Sequence, residues 1–216
     1  LSQYTKTRIG EIEAKRIASI RKALNYPMEP KMMPEYDKYG IKHSKKEREK
    51  MLQDIKNELK EGRSILFGAF AMSRTQNLLN FLYENFADDP NFKTPIYLDG
   101  KLSLQINNVY RNILKDDDKR AFNKILEWEM LHFVNQFEDS MNLALRKDEQ
   151  KIVVSSAGMF NIGRIVNHLK ANIENKNYTI MIIGYCAPST VGGQLLNENA
   201  KEVKIEGLSY KKLAKI

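Results

Sequence analysis

From Ser64 onward the chain alternates short apolar segments with longer amphipathic ones, and this alternation is the strongest constraint on its fold. The apolar segments include "SILFGAF", "TPIYLD", "KIVVSS" and "YTIMIIGY", which have the length and composition of buried strands. The segments between them, such as "SRTQNLLNFLYENF" and "GRIVNHLKANI", repeat apolar residues at helical spacing. Strands that alternate with helices form βαβ units. The sequence therefore predicts an α/β fold with a mostly parallel sheet and helices on both faces.

Further segments extend this Rossmann-like alternation toward both ends of the chain. Ser44-Lys45-Lys46-Glu47 is a capping box that predicts a helix to about Glu61, and Ser73 is a possible N-cap of the helix after "SILFGAF". The acidic run Asp116–Asp118 suits a helix N-terminus, because the helix dipole favours negative charge there. We expect that helix to carry Phe122, Ile125, Leu126 and Met130. "LQINNVYRNIL" and "TVGGQLL" read as helices, and "AKEVKIEG" reads as a last strand.

Composition limits the function classes. The net charge of +8 fits a polyanionic partner such as nucleic acid, although a Lys-rich source organism would give the same charge. Cys186 is the only cysteine, so no intramolecular disulfide can form, and we expect a cytoplasmic location. No apolar run is long enough for a membrane span, and the first residues lack the apolar region of a signal peptide, so no membrane partner is expected.

Three strand ends share one pattern: an apolar strand, a loop of small and polar residues, and then a helix. In a parallel sheet such loops lie together at the carboxyl edge, where helix N-termini favour anions. Glycines in these loops would let a backbone approach a ligand closely, and basic side chains could add charge. These candidates are Gly158, Gly163, Gly184, Gly192, Arg74, Arg164 and His168. Simpler roles stay open: the glycines and the pair Ser155 and Ser156 could serve turns and caps only, and His168 could be an ordinary core or surface residue.

The motifs of a self-contained catalytic centre are missing from the sequence. "SSAGM" is not the G-x-S-x-G elbow, and "GMFNIG" is followed by Arg164 and Ile165 instead of the Lys and Ser/Thr of a P-loop. His43, His132 and His168 are far apart, and Cys186 alone cannot supply the remaining ligands of a zinc site. We therefore expect neither catalytic residues nor a bound cofactor within this segment.

Five segments in order resemble the β-CASP domain of RNA-processing metallo-β-lactamase-fold nucleases. "EGRSILFGAFAMSRTQNLLNFL" is similar to the family's "AFAxGRxQE" region, with Ser73 and Asn77 where the family often has Gly and Glu. "TPIYLDGKLSLQINNVYRN" resembles "PVYLDSPLA…YR". "FEDSMNLALRKDEQKIVVSSAGMFNIGRIVNHLKANI" is similar to the strongest family motif, the serine-rich strand end followed by GM, GR and a helix with His. "TIMIIGYCAPSTVGGQLL" resembles "FVGYQAEGTLGRxL", and "AKEVKIEG" resembles the strand that follows it.

The resemblance begins near Tyr39 and divides the chain into two parts. Residues 39–216 are expected to form the β-CASP-like domain, an insert from a larger metallo-β-lactamase-fold protein, and residues 1–38 an N-terminal helix and an irregular loop. The helix is indicated by Ile9, Ile12, Ile17, Ile20 and Leu24. In "PEYDKYGIKH", Glu35 or Asp37 is a candidate for the family's acidic residue, with the register shifted by one.

The resemblance implies an RNA-clamping domain of a zinc-dependent ribonuclease. Two zinc ions would be held by the metallo-β-lactamase domain of the same parent chain, and single-stranded RNA would lie between the domains. The expected RNA- or phosphate-binding residues are Arg74, Ser155, Ser156, Gly158, Gly163, Arg164, His168, Gly184, Tyr185, Thr190 and Gly192. Two alternatives stay open: a non-catalytic scaffold of the same family, and a stand-alone nucleotide-binding module. The oligomeric state is also open.

Overall fold

The computed structural model of the protein describes residues 45–216, and all structural statements below concern these residues. Their helices are α1 (Lys45–Lys60), α2 (Arg74–Phe86), α3 (Lys101–Ile113), α4 (Asp116–Leu126), α5 (Phe137–Leu145), α6 (Arg164–Asn172) and α7 (Val191–Leu196). Their strands are β1 (Ser64–Gly68), β2 (Ile96–Asp99), β3 (Leu131–Val134), β4 (Ile152–Ser155), β5 (Tyr178–Ile182), β6 (Glu202–Ile205) and β7 (Leu208–Lys211). None of these helices is long and apolar enough to cross a membrane.

Five of the strands form one sheet in the order β3-β2-β4-β1-β5, and every pair in it is parallel. The last residues of the three central strands are in register, because Ser155 of β4 lies opposite both Gly68 of β1 and Asp99 of β2. Strands β6 and β7 form a separate antiparallel hairpin. The loops after β1, β2, β4 and β5 therefore share the carboxyl edge of the sheet, as the sequence predicts for three of them.

Side chains that alternate along the strands build a core on each face of the sheet. Ile65 and Phe67 of β1 pack on one face with apolar residues of α1, α2 and α4. Leu66, between them, packs on the other face with residues of α5, α6, α7 and the hairpin. The helices that connect β1 to β2 and β2 to β3 cover the first face, and those that connect β3 to β4 and β4 to β5 cover the second. The direction of travel across the sheet reverses between the two sets, so all four crossovers can have the same hand. The predicted α/β fold with helices on both faces is confirmed.

Three sequence-based assignments were wrong or incomplete. The helix that begins at Asp116 ends at Leu126 and does not carry Met130. A turn follows, in which the Leu131 N–H donates to the Trp128 carbonyl, and the Met130 carbonyl then accepts from the Ile96 N–H as β3 pairs with β2. The sequence patterns identified neither β3 nor α5. Strand β6 is also not the last one, because β7 pairs with it.

The two helix-start predictions have different outcomes. Ser73 holds the N-cap position of α2, but its side chain makes no capping hydrogen bond, and its hydroxyl lies 3.4 Å from the Tyr110 hydroxyl. The helix predicted from the capping box is present as α1, although Ser44 itself lies outside the described residues. The predictions for residues 1–38, including Glu35 and Asp37, also fall outside the described part of the chain.

A buried carboxylate on α1 holds the C-terminal segment against the sheet. Glu58 is 2% exposed and accepts hydrogen bonds from Thr179 of β5 at 2.7 Å, from Arg63 at 2.8 Å, and from Lys215. Burial alone would raise the pKa of Glu58, but the hydrogen bonds from Lys215, Thr179 and Arg63 outweigh it and lower the pKa. Lys215 also continues alongside β5, because its N–H donates to the Tyr178 carbonyl at 3.0 Å. Glu58 thus ties α1, β5 and the chain end together.

We expect Glu58→Ala to lower the free energy of unfolding by about 1–3 kcal/mol, because the buried Thr179 hydroxyl loses its acceptor. Urea denaturation followed by circular dichroism measures the change. The matched control is Glu61→Ala, which removes a 55%-exposed partner of the same Arg63 and should change stability by less than about 1 kcal/mol. Equal losses in the two variants would show that burial of Glu58 adds nothing.

Candidate nucleic-acid interface

A buried carboxylate lies at the carboxyl edge of the sheet. Asp99, the last residue of β2, is fully buried. Its Oδ2 accepts a hydrogen bond from Ser140 of α5 and lies 2.6 Å from Nε2 of His168 on α6. Its Oδ1 accepts from Arg164, the first residue of α6, at 2.8 Å. We call these four residues the Asp99 network, which joins β2, α5 and α6.

The Asp99 network keeps its carboxylate charged. Burial alone would raise the pKa of Asp99, but the hydrogen bonds from His168, Ser140 and Arg164 outweigh it and lower the pKa. Because three donors satisfy this carboxylate, it can be buried without the large penalty of an unpaired charge.

Arg164 is held by groups of the protein itself. Besides Asp99, its guanidinium donates to the Val134 carbonyl at 3.0 Å and to the Asn135 carbonyl at 2.6 Å. Its side chain is 16% exposed. Arg164 therefore fixes the start of α6 against the end of β3, and most of its hydrogen-bonding capacity is already used.

The predicted site residues divide into buried and exposed groups. Ser155 and His168 are essentially fully buried, so neither side chain can touch a substrate in this arrangement. Together with Arg164 they pack beneath the surface of the carboxyl edge. That they contribute to RNA binding stays a prediction, and such a contribution would be indirect. In contrast, Tyr185 is 74% exposed, and Ser156 and Arg74 are half-buried at the surface. Arg74 Nη1 donates to the Ile183 carbonyl at 2.7 Å, which places its guanidinium beside the loop after β5.

The remaining predicted residues shape the loops. Thr190 caps α7, because its hydroxyl accepts from the Gly193 N–H at 3.1 Å and donates to the Ala187 carbonyl at 2.6 Å. The four glycines have little free space beside them. At Gly163 an added β-carbon would lie 2.7 Å from the Ser156 carbonyl oxygen, and at Gly192 it would lie 2.5 Å from Cys186 Sγ. At Gly158 it would lie 3.3 Å from the Phe70 ring, and at Gly184 it would lie 3.3 Å from Arg74 Nη1. The space beside each of these glycines is thus taken by protein atoms, which agrees with the simpler role left open by the sequence.

The start of α3 adds residues that the sequence patterns missed. A β-carbon on Gly100 would lie 3.4 Å from the Ser156 hydroxyl and 3.5 Å from the Ser103 hydroxyl, so both hydroxyls lie beside the first turn of α3. Lys101, the first residue of α3, is exposed. Asp99 and Ser140 were missed as well. The signals for Asp99 were its place at a strand end, which is also typical of a surface turn, and its match to the Asp of the family's "PVYLD" segment.

The described residues bring together no group of three or more His, Cys, Asp or Glu side chains that could hold a metal ion. Residues 45–216 therefore do not fit a metal centre, and no reaction step is assigned to a metal here. The carboxyl edge offers hydroxyls, one half-buried guanidinium and exposed apolar and aromatic side chains. Hydroxyls, guanidinium groups and aromatic rings are the kinds of group that bind the backbone and bases of nucleic acids.

Comparison with known proteins identifies several curated relatives of the chain. Over 170 residues the chain is 26% identical to Integrator complex subunit 11 of Danio rerio, covering 77% of this chain and 28% of that protein. It is 29% identical over 164 residues to Transcription termination factor FttA of Lokiarchaeum sp., covering 71% and 25%. It is 27% identical over 169 residues to RNase aCSPSF2 of Saccharolobus solfataricus, covering 74% and 31%. The chain thus spans between a quarter and a third of the length of these curated relatives.

A family model for the Beta-Casp domain matches residues 75–195. The match includes α2 from its second residue, four of the five sheet strands (β2 to β5), and every member of the Asp99 network. It covers more than half of the sequence. The chain therefore belongs to the Beta-Casp domain family.

Proposed function

We propose that the carboxyl edge of this domain binds single-stranded RNA for an RNA phosphodiester hydrolase, a zinc-dependent ribonuclease. The observation that supports the proposal is the carboxyl edge itself: the Asp99 network fixes the start of α6 beside β2 and α5, and the half-buried Ser156 and Arg74 and the exposed Tyr185 lie in the loops of the same edge. Relatives named as RNases and as a transcription termination factor support an RNA substrate. The net charge of +8 favours the same partner.

In the proposed site some residues contact the RNA directly and others hold those residues in position. Arg74 and the Ser156 hydroxyl contact phosphate oxygens, and the exposed ring of Tyr185 stacks on a base. Ser155, Arg164 and His168 act indirectly, by fixing the ends of β4 and α6 on either side of the loop that carries Ser156. Phosphate contacts fix the position of the strand and carry no sequence information, so this domain clamps the RNA without selecting its sequence.

Cleavage belongs to another part of the parent protein in this proposal. A metallo-β-lactamase domain of the same parent chain would hold two zinc ions, which supply an activated water for hydrolysis. This chain's own residues bind and orient the RNA. A parent that binds RNA through this edge without hydrolysing it would instead be a scaffold.

We expect the Tyr185→Ala and Arg74→Ala variants each to bind a labelled single-stranded RNA oligonucleotide about tenfold more weakly in fluorescence anisotropy. Raising the salt from about 50 to about 200 mM should weaken wild-type binding steeply, and loss of the Arg74 contact should reduce the salt slope by about 0.7. Loss of Tyr185 should leave that slope unchanged, because its contribution is stacking.

The matched control is Lys147→Ala, which removes an exposed cation from the loop before β4 at the opposite edge of the sheet. Its affinity should stay close to that of the wild type. Equal weakening by Lys147→Ala would point to diffuse electrostatic binding and overturn the proposed site. Competition by a mononucleotide as strong as by RNA would favour a nucleotide-binding module instead.

A further inference from the structure

Helix α3 has an exposed apolar stripe in addition to its buried face. Its buried side chains include the polar residues Ser103 and Asn107, which are 1% and 3% exposed. The stripe consists of Leu102, Val109 and Ile113, which are 57%, 44% and 44% exposed, together with the half-buried Ile106. An amphipathic helix ordinarily turns such a stripe toward a core. The stripe of α3 therefore indicates a second packing surface outside the described fold.

The spacing of the stripe is the same in both directions. Positions 102, 106, 109 and 113 follow the i, i+4, i+7, i+11 pattern of helix packing, and the intervals four, three and four read identically backward. A second copy of α3 placed antiparallel therefore sets Leu102 against Ile113 and Ile106 against Val109. The stripe is complementary to itself, as an isologous interface requires.

The charges at the two ends of α3 also match in this arrangement. Lys101 is exposed at the start of the helix. Asp116 is exposed just beyond the end of the helix, next to the exposed Lys115. An antiparallel pair brings Lys101 of one copy toward Asp116 of the other. Gln105 and Asn112, which flank the stripe, carry uncharged amides.

We propose that α3 is the interface of a two-fold symmetric dimer of this chain, with the two α3 helices packed antiparallel through the 102–113 stripe. The inference uses none of Arg74, Ser156 and Tyr185, although the stripe begins in the first turn of α3, beside the Ser156 hydroxyl. Four side chains from each copy form a short seam, so the interface lies at the small end of specific interfaces and the dimer dissociates readily.

Sedimentation velocity of the full 216-residue chain over a range of concentrations tests the proposal. Wild-type protein should shift from monomer to dimer as concentration rises, whereas Val109→Glu should require at least about tenfold more protein, because it places a charge in the seam. Leu208→Glu is the control: Leu208 is 63% exposed on the hairpin, and its replacement should leave the dimer unchanged. Circular dichroism verifies that each variant is folded.

Disulfide trapping tests the antiparallel register. The variant carrying both Leu102→Cys and Ile113→Cys should form a covalent dimer under mild oxidation, since each new thiol faces its counterpart in the other copy. The two positions cannot bridge within one chain, because eleven residues of helix separate them by roughly 16 Å. Leu102→Cys alone should cross-link far less, because the two copies of position 102 lie at opposite ends of the seam.

Three outcomes would overturn the proposal. A chain that stays monomeric at every concentration would mean that something other than a second copy covers the stripe, such as residues 1–44 or a different protein. A dimer that is unaffected by Val109→Glu would use another surface. Cross-linking of the single Leu102→Cys variant as efficient as that of the double variant would exclude the antiparallel register.

Discussion

Replacement of Asp99 by alanine is expected to lower the free energy of unfolding by about 3–5 kcal/mol, because it leaves the buried His168 and Arg164 without their shared acceptor. Urea denaturation at neutral pH measures this change. Asp148→Ala, which removes an exposed carboxylate from the loop before β4, is the control and should change stability by less than about 0.5 kcal/mol. A loss below about 1 kcal/mol in Asp99→Ala would mean that the network contributes little net stability.

The stability difference between the wild type and Asp99→Ala should also depend on pH, in a direction that the pKa of Asp99 sets. The pKa of Asp99 is lowered in the folded protein from its ordinary value of 3.8, so the folded state favours the charged carboxylate. Its contribution is fully present above the unfolded-state pKa and is lost as pH falls through the lower folded-state pKa. The stability difference between wild type and Asp99→Ala should therefore shrink below about pH 4. A difference that stays constant down to pH 2 to 3 would contradict this assignment.

Replacement of Gly163 by alanine is expected to destabilise the protein by about 2–4 kcal/mol, from backbone strain and a steric clash together. Gly163 has a φ of +87°, which L-residues adopt at a cost. In addition, the new β-carbon would lie 2.7 Å from the Ser156 carbonyl oxygen, a backbone atom that cannot rotate away. Thermal unfolding followed by circular dichroism, compared with the wild type, measures the loss.

Gly207→Ala provides a matched control for the backbone contribution. Gly207 has nearly the same φ, +83°, but an added β-carbon there meets no atom within 4 Å. Its replacement should cost only about 1–2 kcal/mol. The excess loss in Gly163→Ala then measures the clash with Ser156. Equal losses would show that the loop after β4 moves aside to accept a β-carbon.

The parallel sheet could be predicted from the sequence because its buried strands are continuous apolar runs, as "KIVV" shows for β4. It was insufficient for β3, where only Leu131 and Val134 are buried and His132 and Phe133 face outward. An edge strand with this pattern has neither a continuous apolar run nor a strict alternation. The helix predicted from Asp116 was therefore extended to Met130, across a turn that tertiary packing places before β3.

The sequence predicted where the candidate site lies in the fold, but not which side chains contact each other there. The strand-to-helix pattern located the carboxyl edge and named Arg164 and His168, yet gave no indication that both side chains turn toward Asp99. Their pairing depends on β2 lying beside β4, a neighbour relation that no local pattern contains. Ser140 was missed for the same reason, since α5 is brought to the edge only by the crossover from β3 to β4. Local sequence thus identifies loops, whereas strand order decides which side chains meet.

The wide separation of these partners along the chain has a kinetic consequence. Asp99 lies 69 residues from His168, and Glu58 lies 121 residues from Thr179, so both buried carboxylates depend on contacts of high sequence separation. Such contacts raise the contact order and form only after the entropy of closing long loops has been lost. We therefore expect the carboxyl edge to assemble late, when β4 enters between β1 and β2. Before that step the chain would have helices but not yet the candidate binding surface.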